Sequence, residues 1–95
     1  MLTITRLLWD EHNIAHIAKH AVTPAEVEEA CQSRSVVLQA YGGRLALIGM
    51  TARPRILTVI LNPQLYAGEY YVVTARDADK NERQWYRTYT GGGSP

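Results

Sequence analysis

The chain has a single cysteine, no phenylalanine and almost no charge imbalance, with a net charge of +1 over 95 residues. Cys31 has no second thiol to pair with, so no internal disulfide forms and a reducing compartment is expected. No apolar run approaches the ~18 residues that a membrane helix needs, which excludes a spanning helix and any membrane partner of that kind. The stretch from Met1 to Arg6 has no charged segment followed by an apolar run, so no secretory signal is expected and a cytoplasmic location follows. No serine stands in a G-x-S-x-G turn, and Gly42-Gly43 leads into a strand pattern, not a helix. A serine nucleophile therefore has little support, and a phosphate-cradling glycine loop is missing.

What is present suits one small globular domain. Apolar residues make up 46% of the chain, enough for a core, and the length leaves little room for a second domain. Charge is unevenly placed. Residues 1–43 carry three basic and five acidic side chains (net −2), whereas residues 44–95 carry seven and four (net +3). Six of the eight arginines fall in that second part. Arginine grips a phosphate or carboxylate at two points, so an anion-binding face in the second half is plausible.

The pattern of elements reads (β)ααββββα. Thr3 to Leu8 suits a short strand. Asp10 is a good N-cap for a helix reaching about Ala21, with Ile14, Ile17, Ala18 and Ala21 as its inward stripe. Thr23-Pro24-Ala25-Glu26 is a capping box for a second helix, and Val27, Ala30 and Cys31 form its buried side. Residues 35–41, 44–51, 55–62 and 69–76 are rich in Val, Ile, Leu and Tyr and are bounded by turn residues. Gly42-Gly43 predicts a two-residue hairpin, and the other short connections force antiparallel pairing. Asp79 to Glu82 repeats the capping logic for a last helix ending near Thr88. The fold class is α+β: an antiparallel sheet, an N-terminal helical hairpin on one face and a C-terminal helix. Residues 1–89 make the single domain and residues 90–95 a flexible tail.

Three groups of side chains invite chemistry. His12, His16 and His20 recur every four residues on one side of the first helix. Adjacent pairs have chelating spacing, but the outer two lie about 12 Å apart at 1.5 Å per residue, so all three cannot share one ion. A solvated polar face is the favoured reading, with no metal and no cofactor. The strand period of two puts Tyr70, Val72, Thr74 and Arg76 on one face. Arg76 then either helps to clamp a phosphate, together with Arg44 and Arg83, or pairs with Asp77, Asp79 or Glu82 to fix the strand–helix corner. Tyr86, near Arg83 on the last helix, either stacks on a base or packs half-buried. Trp9 reads as a core anchor.

Taken in order, Leu8-Trp9-Asp10, Asn13, Lys19-His20 and the run from Val22 to Val27 resemble the N-terminal signature of the BrnT toxins. Ile48-Gly49-Met50-Thr51, then Val73-Thr74-Ala75-Arg76, then Glu82-Arg83 with Tyr86, resemble its second part. The resemblance covers about residues 7–88. It implies a RelE-like fold and a toxin-like endoribonuclease of a type II toxin–antitoxin pair, with RNA as substrate and a cognate antitoxin as protein partner; an oligomer is compatible with it. Carried over by position, it implies His20, Arg76, Arg83 and Tyr86 as catalytic residues, with Lys19 and Arg44 binding RNA. Metal-independent cleavage uses the substrate's 2′-hydroxyl as nucleophile, so no Ser or Cys is required. His20 would exchange protons, the arginines would stabilise phosphorane charge, and Tyr86 would stack on a splayed base. Two competing readings are a non-catalytic protein-interaction module on the same fold and a small metal-dependent hydrolase built on the histidines.

Overall fold

The computed structural model describes residues 2–91. Met1 and residues 92–95 lie outside the described residues. Of the expected flexible tail, Thr90 instead closes the last helix and Gly91 caps it in the left-handed conformation. The elements are β1 (Arg6–Leu8), α1 (Glu11–Ala18), α2 (Pro24–Gln32), β2 (Val36–Gln39), β3 (Leu45–Met50), β4 (Ile56–Pro63), β5 (Glu69–Asp77) and α3 (Lys80–Thr90). They follow the order expected from the sequence, and the fold is α+β. The strands form one sheet in the order β1-β5-β4-β3-β2. β2 to β5 are an antiparallel meander, as their short connections demand. β1 joins the β5 edge in parallel, with Leu7 opposite Tyr70, so the sheet is mixed and not wholly antiparallel. The β2–β3 turn spans three residues, Tyr41–Gly43, and not two; both glycines take positive φ, +73° and +79°.

One irregularity redirects the end of β5. The β4–β5 register slips between Ile60, opposite Thr74, and Leu61, opposite Val72, leaving Val73 as a bulge. Tyr70 and Val72 therefore face the helical hairpin while Thr74 and Arg76 face the other side. The expectation of one face for all four residues fails because the extra residue reverses the alternation.

The larger core lies between the hairpin and the sheet. Ile17, Val27 and Ala30 meet Leu47, Leu57, Val59, Leu61, Val72 and Ala75, with Trp9 and Cys31 packed at its margin. Each fully buried Leu, Ile or Val contributes about 1.5–3 kcal/mol of transfer free energy. Gly49 permits the close approach of α2: a Cβ there would lie 2.2 Å from the Ala30 carbonyl oxygen. Ser33 completes this contact, its hydroxyl donating to the Ala30 carbonyl (2.7 Å) and accepting from the Met50 amide (3.1 Å). On the opposite face a smaller cluster of Val36, Ile48, Ala78 and Tyr86 seats α3 over one end of the sheet.

α1 turns a different stripe inward from the one expected. Asn13 and Ile17 are buried, whereas Ile14 is 41% exposed and Ala18 and Ala21 face solvent. The cause is polar. Asp10 Oδ1 accepts from the Asn13 amide, the Asn13 side-chain oxygen accepts from the Asp10 amide, and Asn13 Nδ2 donates to the carbonyls of Leu8 (2.9 Å) and Val72 (3.1 Å). One amide thus caps α1 and ties it to β1 and β5, fixing the rotation of the helix.

The end of α1 is a Schellman turn: the Val22 amide donates to the Ile17 carbonyl and the Ala21 amide to the Ala18 carbonyl. Ala21 occupies its left-handed position, at φ +58°. Replacing Ala21 with Gly should remove that strain and stabilise the fold by about 1 kcal/mol. Asn13→Ala should cost about 2–4 kcal/mol, because two carbonyls lose their donor at a buried site. Urea midpoints of the two variants, shifted in opposite directions, are the check.

Candidate nucleic-acid interface

α3 begins with a capping box in which Asp79 Oδ1 accepts from the Glu82 amide (2.8 Å) and Glu82 Oε1 accepts from the Asp79 amide (2.9 Å). The same carboxylate receives Arg76 Nη1 at 2.7 Å and Nη2 at 3.0 Å, a two-point grip from β5. Arg76, with the amide of Asp79 assisting, holds the Glu82 carboxyl down to a pKa of about 2. Of the two roles open to Arg76, its side chain is occupied in fixing the strand–helix corner. Arg83 lies at the same corner, its Nη1 donating to the Ala78 carbonyl at 2.7 Å, while Arg76 Nη1 also reaches the carbonyl of Asp77 at 3.2 Å. The two arginines thus bond consecutive carbonyls of the β5–α3 link, which places both at this corner. Lys80, Arg83 and Arg87 follow one another at helical spacing along a single flank of α3.

The other expected site residues are dispersed. Tyr86 is buried and packs against Val36, Ile48 and Ala78, so its ring fixes α3 to the sheet. The sliver that solvent reaches borders a shallow groove with Met50, Thr51 and Arg34. His20 is exposed just beyond α1, its ring edge-on to His16 with centroids 5.6 Å apart. Lys19 is exposed beside it. Arg44 precedes β3 at the opposite end of the sheet, opposite the level of Asn62 and Tyr71, about 13 Å along the strands from the level of Arg76. The structure therefore brings Arg76 and Arg83 together, places His20 with Lys19 elsewhere, and leaves Arg44 remote.

Arg55 explains the position of His20, and sequence reasoning missed it. Its guanidinium binds Asp77 through Nε (2.7 Å), Glu26 (3.1 Å) and the Ala21 carbonyl (2.8 Å) through Nη1, and the His20 carbonyl through Nη2 (3.3 Å). It joins the α1–α2 turn, the first turn of α2 and the end of β5. Asp77 and Arg76 are adjacent, yet one reaches Arg55 on the hairpin side and the other Glu82 on the α3 side. The sheet thus lies between His20 and the arginine corner. No periodicity marks Arg55; only its place just before an apolar strand does.

These environments restrict the available chemistry. Glu82 stays a carboxylate engaged by Arg76, so it is a poor proton donor or base near neutrality. Burial, with Glu28 nearby, pushes the Cys31 thiol up to about 12, which removes it as a thiolate nucleophile. Trp9 donates its indole N–H to Glu28 at 2.9 Å, and Tyr71 donates its hydroxyl to Asp10, so both are structural partners of α1 and α2. Among the described residues no group of three His, Cys, Asp or Glu side chains gathers to hold a metal ion. Among them, too, no helix is long and apolar enough to cross a membrane. No family model and no curated protein matches the chain.

The Arg76–Glu82 pair makes stability depend on acid. A carboxyl whose folded pKa is depressed stabilises the fold above its ordinary value of 4.5, and that contribution fades as pH falls towards about 2. Glu82→Gln should cost about 1–2 kcal/mol at pH 7, a figure kept modest because Arg76 is partly solvated. Below pH 4.5 the gap between wild type and variant should close. Thermal unfolding of both proteins from pH 7 to pH 2 measures it.

Proposed function

We propose that the chain is a toxin-like endoribonuclease of the BrnT type, which binds RNA along the basic flank of α3 and cleaves it through the substrate's own 2′-hydroxyl. The observation that carries this reading is the β5–α3 corner, where Arg76 and Arg83 bond consecutive carbonyls and Lys80 and Arg87 extend the positive stripe. The element order is also the one that the BrnT resemblance implies. In this reading Arg83 and its helix neighbours hold phosphate, and Arg76 positions α3 through Glu82 while adding positive potential at the corner. Tyr86 acts from the core by holding the helix in place. His20 supplies the proton exchange, and an RNA strand that reaches it from the arginine corner passes over the Arg55–Asp77 end of the sheet. A cognate antitoxin would then be the protein partner.

A second reading has its own support. The two-point Arg76–Glu82 grip and the burial of Tyr86 engage two of the four expected catalytic groups in structure. That favours a non-catalytic interaction module on the same fold.

Incubating the purified protein with structured and unstructured RNA, with and without chelator, separates the readings. Cleavage that survives chelator, falls ~10²-fold or more in His20→Ala and is unaffected in His16→Ala is the expected result. Arg83→Ala should weaken RNA binding and reduce its salt dependence by about one phosphate contact. RNA binding without cleavage, or neither, would replace the ribonuclease with the interaction module.

A further inference from the structure

We propose that β2 is a docking edge: an extended, acidic segment of a partner protein pairs with Val36–Gln39 as a sixth strand, seats an apolar side chain in the cleft beside it and places a carboxylate on Arg34. β2 ends the sheet, and among the described residues no hydrogen bond from outside β3 reaches residues 36–39. Antiparallel geometry turns half of those amides and carbonyls away from β3, where only another strand or water can meet them. Two of the usual guards of an open edge, charge and proline, are missing from the run between Ser35 and Gly43. The far edge of the sheet, β1, has three residues to the four of β2, and among the described residues no pocket as wide lies against it with an unpaired arginine at its rim.

A cleft of about 730 Å³ lies against this edge, between β2 and the end of α2, with Leu2, Cys31, Val37 and Leu45 in its wall and Arg34 at its rim. Val37 and Leu45 sit on the hairpin face of their strands, in the alternation of Leu47. An added strand would project every second side chain towards the same face, over the cleft. Arg34 is exposed, and among the described residues it makes no ion pair. The carboxylates of α2 are committed elsewhere: Glu26 to Arg55, Glu28 to Trp9 and Glu29 to the Ala52 amide. Charge at the rim is thus answered only from outside. A second copy of the chain fits less well, because residues 34–41 contain no acid and two-fold pairing of β2 leaves each Arg34 without a counter-charge.

The surface is separate from any action on RNA, and the test contains none. The probe is a fluorescent heptapeptide alternating valine and threonine, with aspartate at each end, titrated into the full chain. Saturable binding, with slowed hydrogen exchange at residues 36–39, is expected. Arg34→Glu should weaken it at least tenfold, and the same peptide with lysine ends should regain affinity for that variant. N-methylation of alternate peptide amides should abolish binding. Equal affinity for the methylated peptide, or no change in Arg34→Glu, would overturn the proposal. So would dimerisation through residues 36–39 that excludes the peptide, or no saturation at millimolar peptide.

Discussion

The bulge at Val73 is the constraint on which the β5–α3 end of the molecule depends. Without it, strict alternation from Val72 would send Arg76 into the apolar layer beneath the helical hairpin, where a lone guanidinium is costly to bury. One unpaired residue reverses the alternation, so Ala75 and Asp77 continue the hairpin face and Arg76 emerges opposite α3. Adjacent residues then serve two separate ionic systems. Asp77 meets Arg55 and fastens the hairpin; Arg76 meets Glu82 and fastens the last helix. Both faces of the sheet are locked at the same strand end.

That arrangement shapes what the cations can do. Arg55 and Arg76 are each held by carboxylates, so much of their charge is answered within the chain. Lys80, Arg83 and Arg87 make no ion pair among the described residues, so the outer flank of α3 keeps its positive charge. Tyr86 and the bidentate grip on Glu82 set the direction of that flank, which makes them positioning elements for its cations. His20 belongs to the other system, since its carbonyl is part of the Arg55 latch. A ligand that met both would have to be long enough to wrap the strand end.

The helical hairpin repeats the same economy of parts. Asn13 is at once a cap, a cross-link to β1 and a cross-link to β5, so α1 needs only eight residues and one large buried side chain, Ile17. Ala21 stands at the left-handed position of the Schellman turn, and its carbonyl, with that of His20, is where Arg55 docks. Polar contacts at helix ends therefore set the hairpin's orientation, and the apolar core fills the space they define.

Local chemistry was sufficient for the parts of this fold written in short windows. Asp10, Thr23 and Asp79 each mark a helix start because a side-chain oxygen three residues before a free amide satisfies it wherever the helix later packs. The four meander strands follow from their β-branched runs and turn residues, and the short links leave antiparallel pairing as the sole option. Gly49 and Asn13 were visible as residues of the BrnT resemblance, but not the close helix approach and the three-way hydrogen bonding that they serve. The parallel seat of β1, the inward turn of Asn13 in place of Ile14, the Val73 bulge and the Arg55 latch were decided only by tertiary structure. Each depends on partners outside the local window: Val72 for Asn13, Leu61 for Val72, and Glu26 and Asp77 for Arg55. Periodicity records which residues can share a face of one element. It carries no information on where a register slips or which distant carbonyl a buried amide will find.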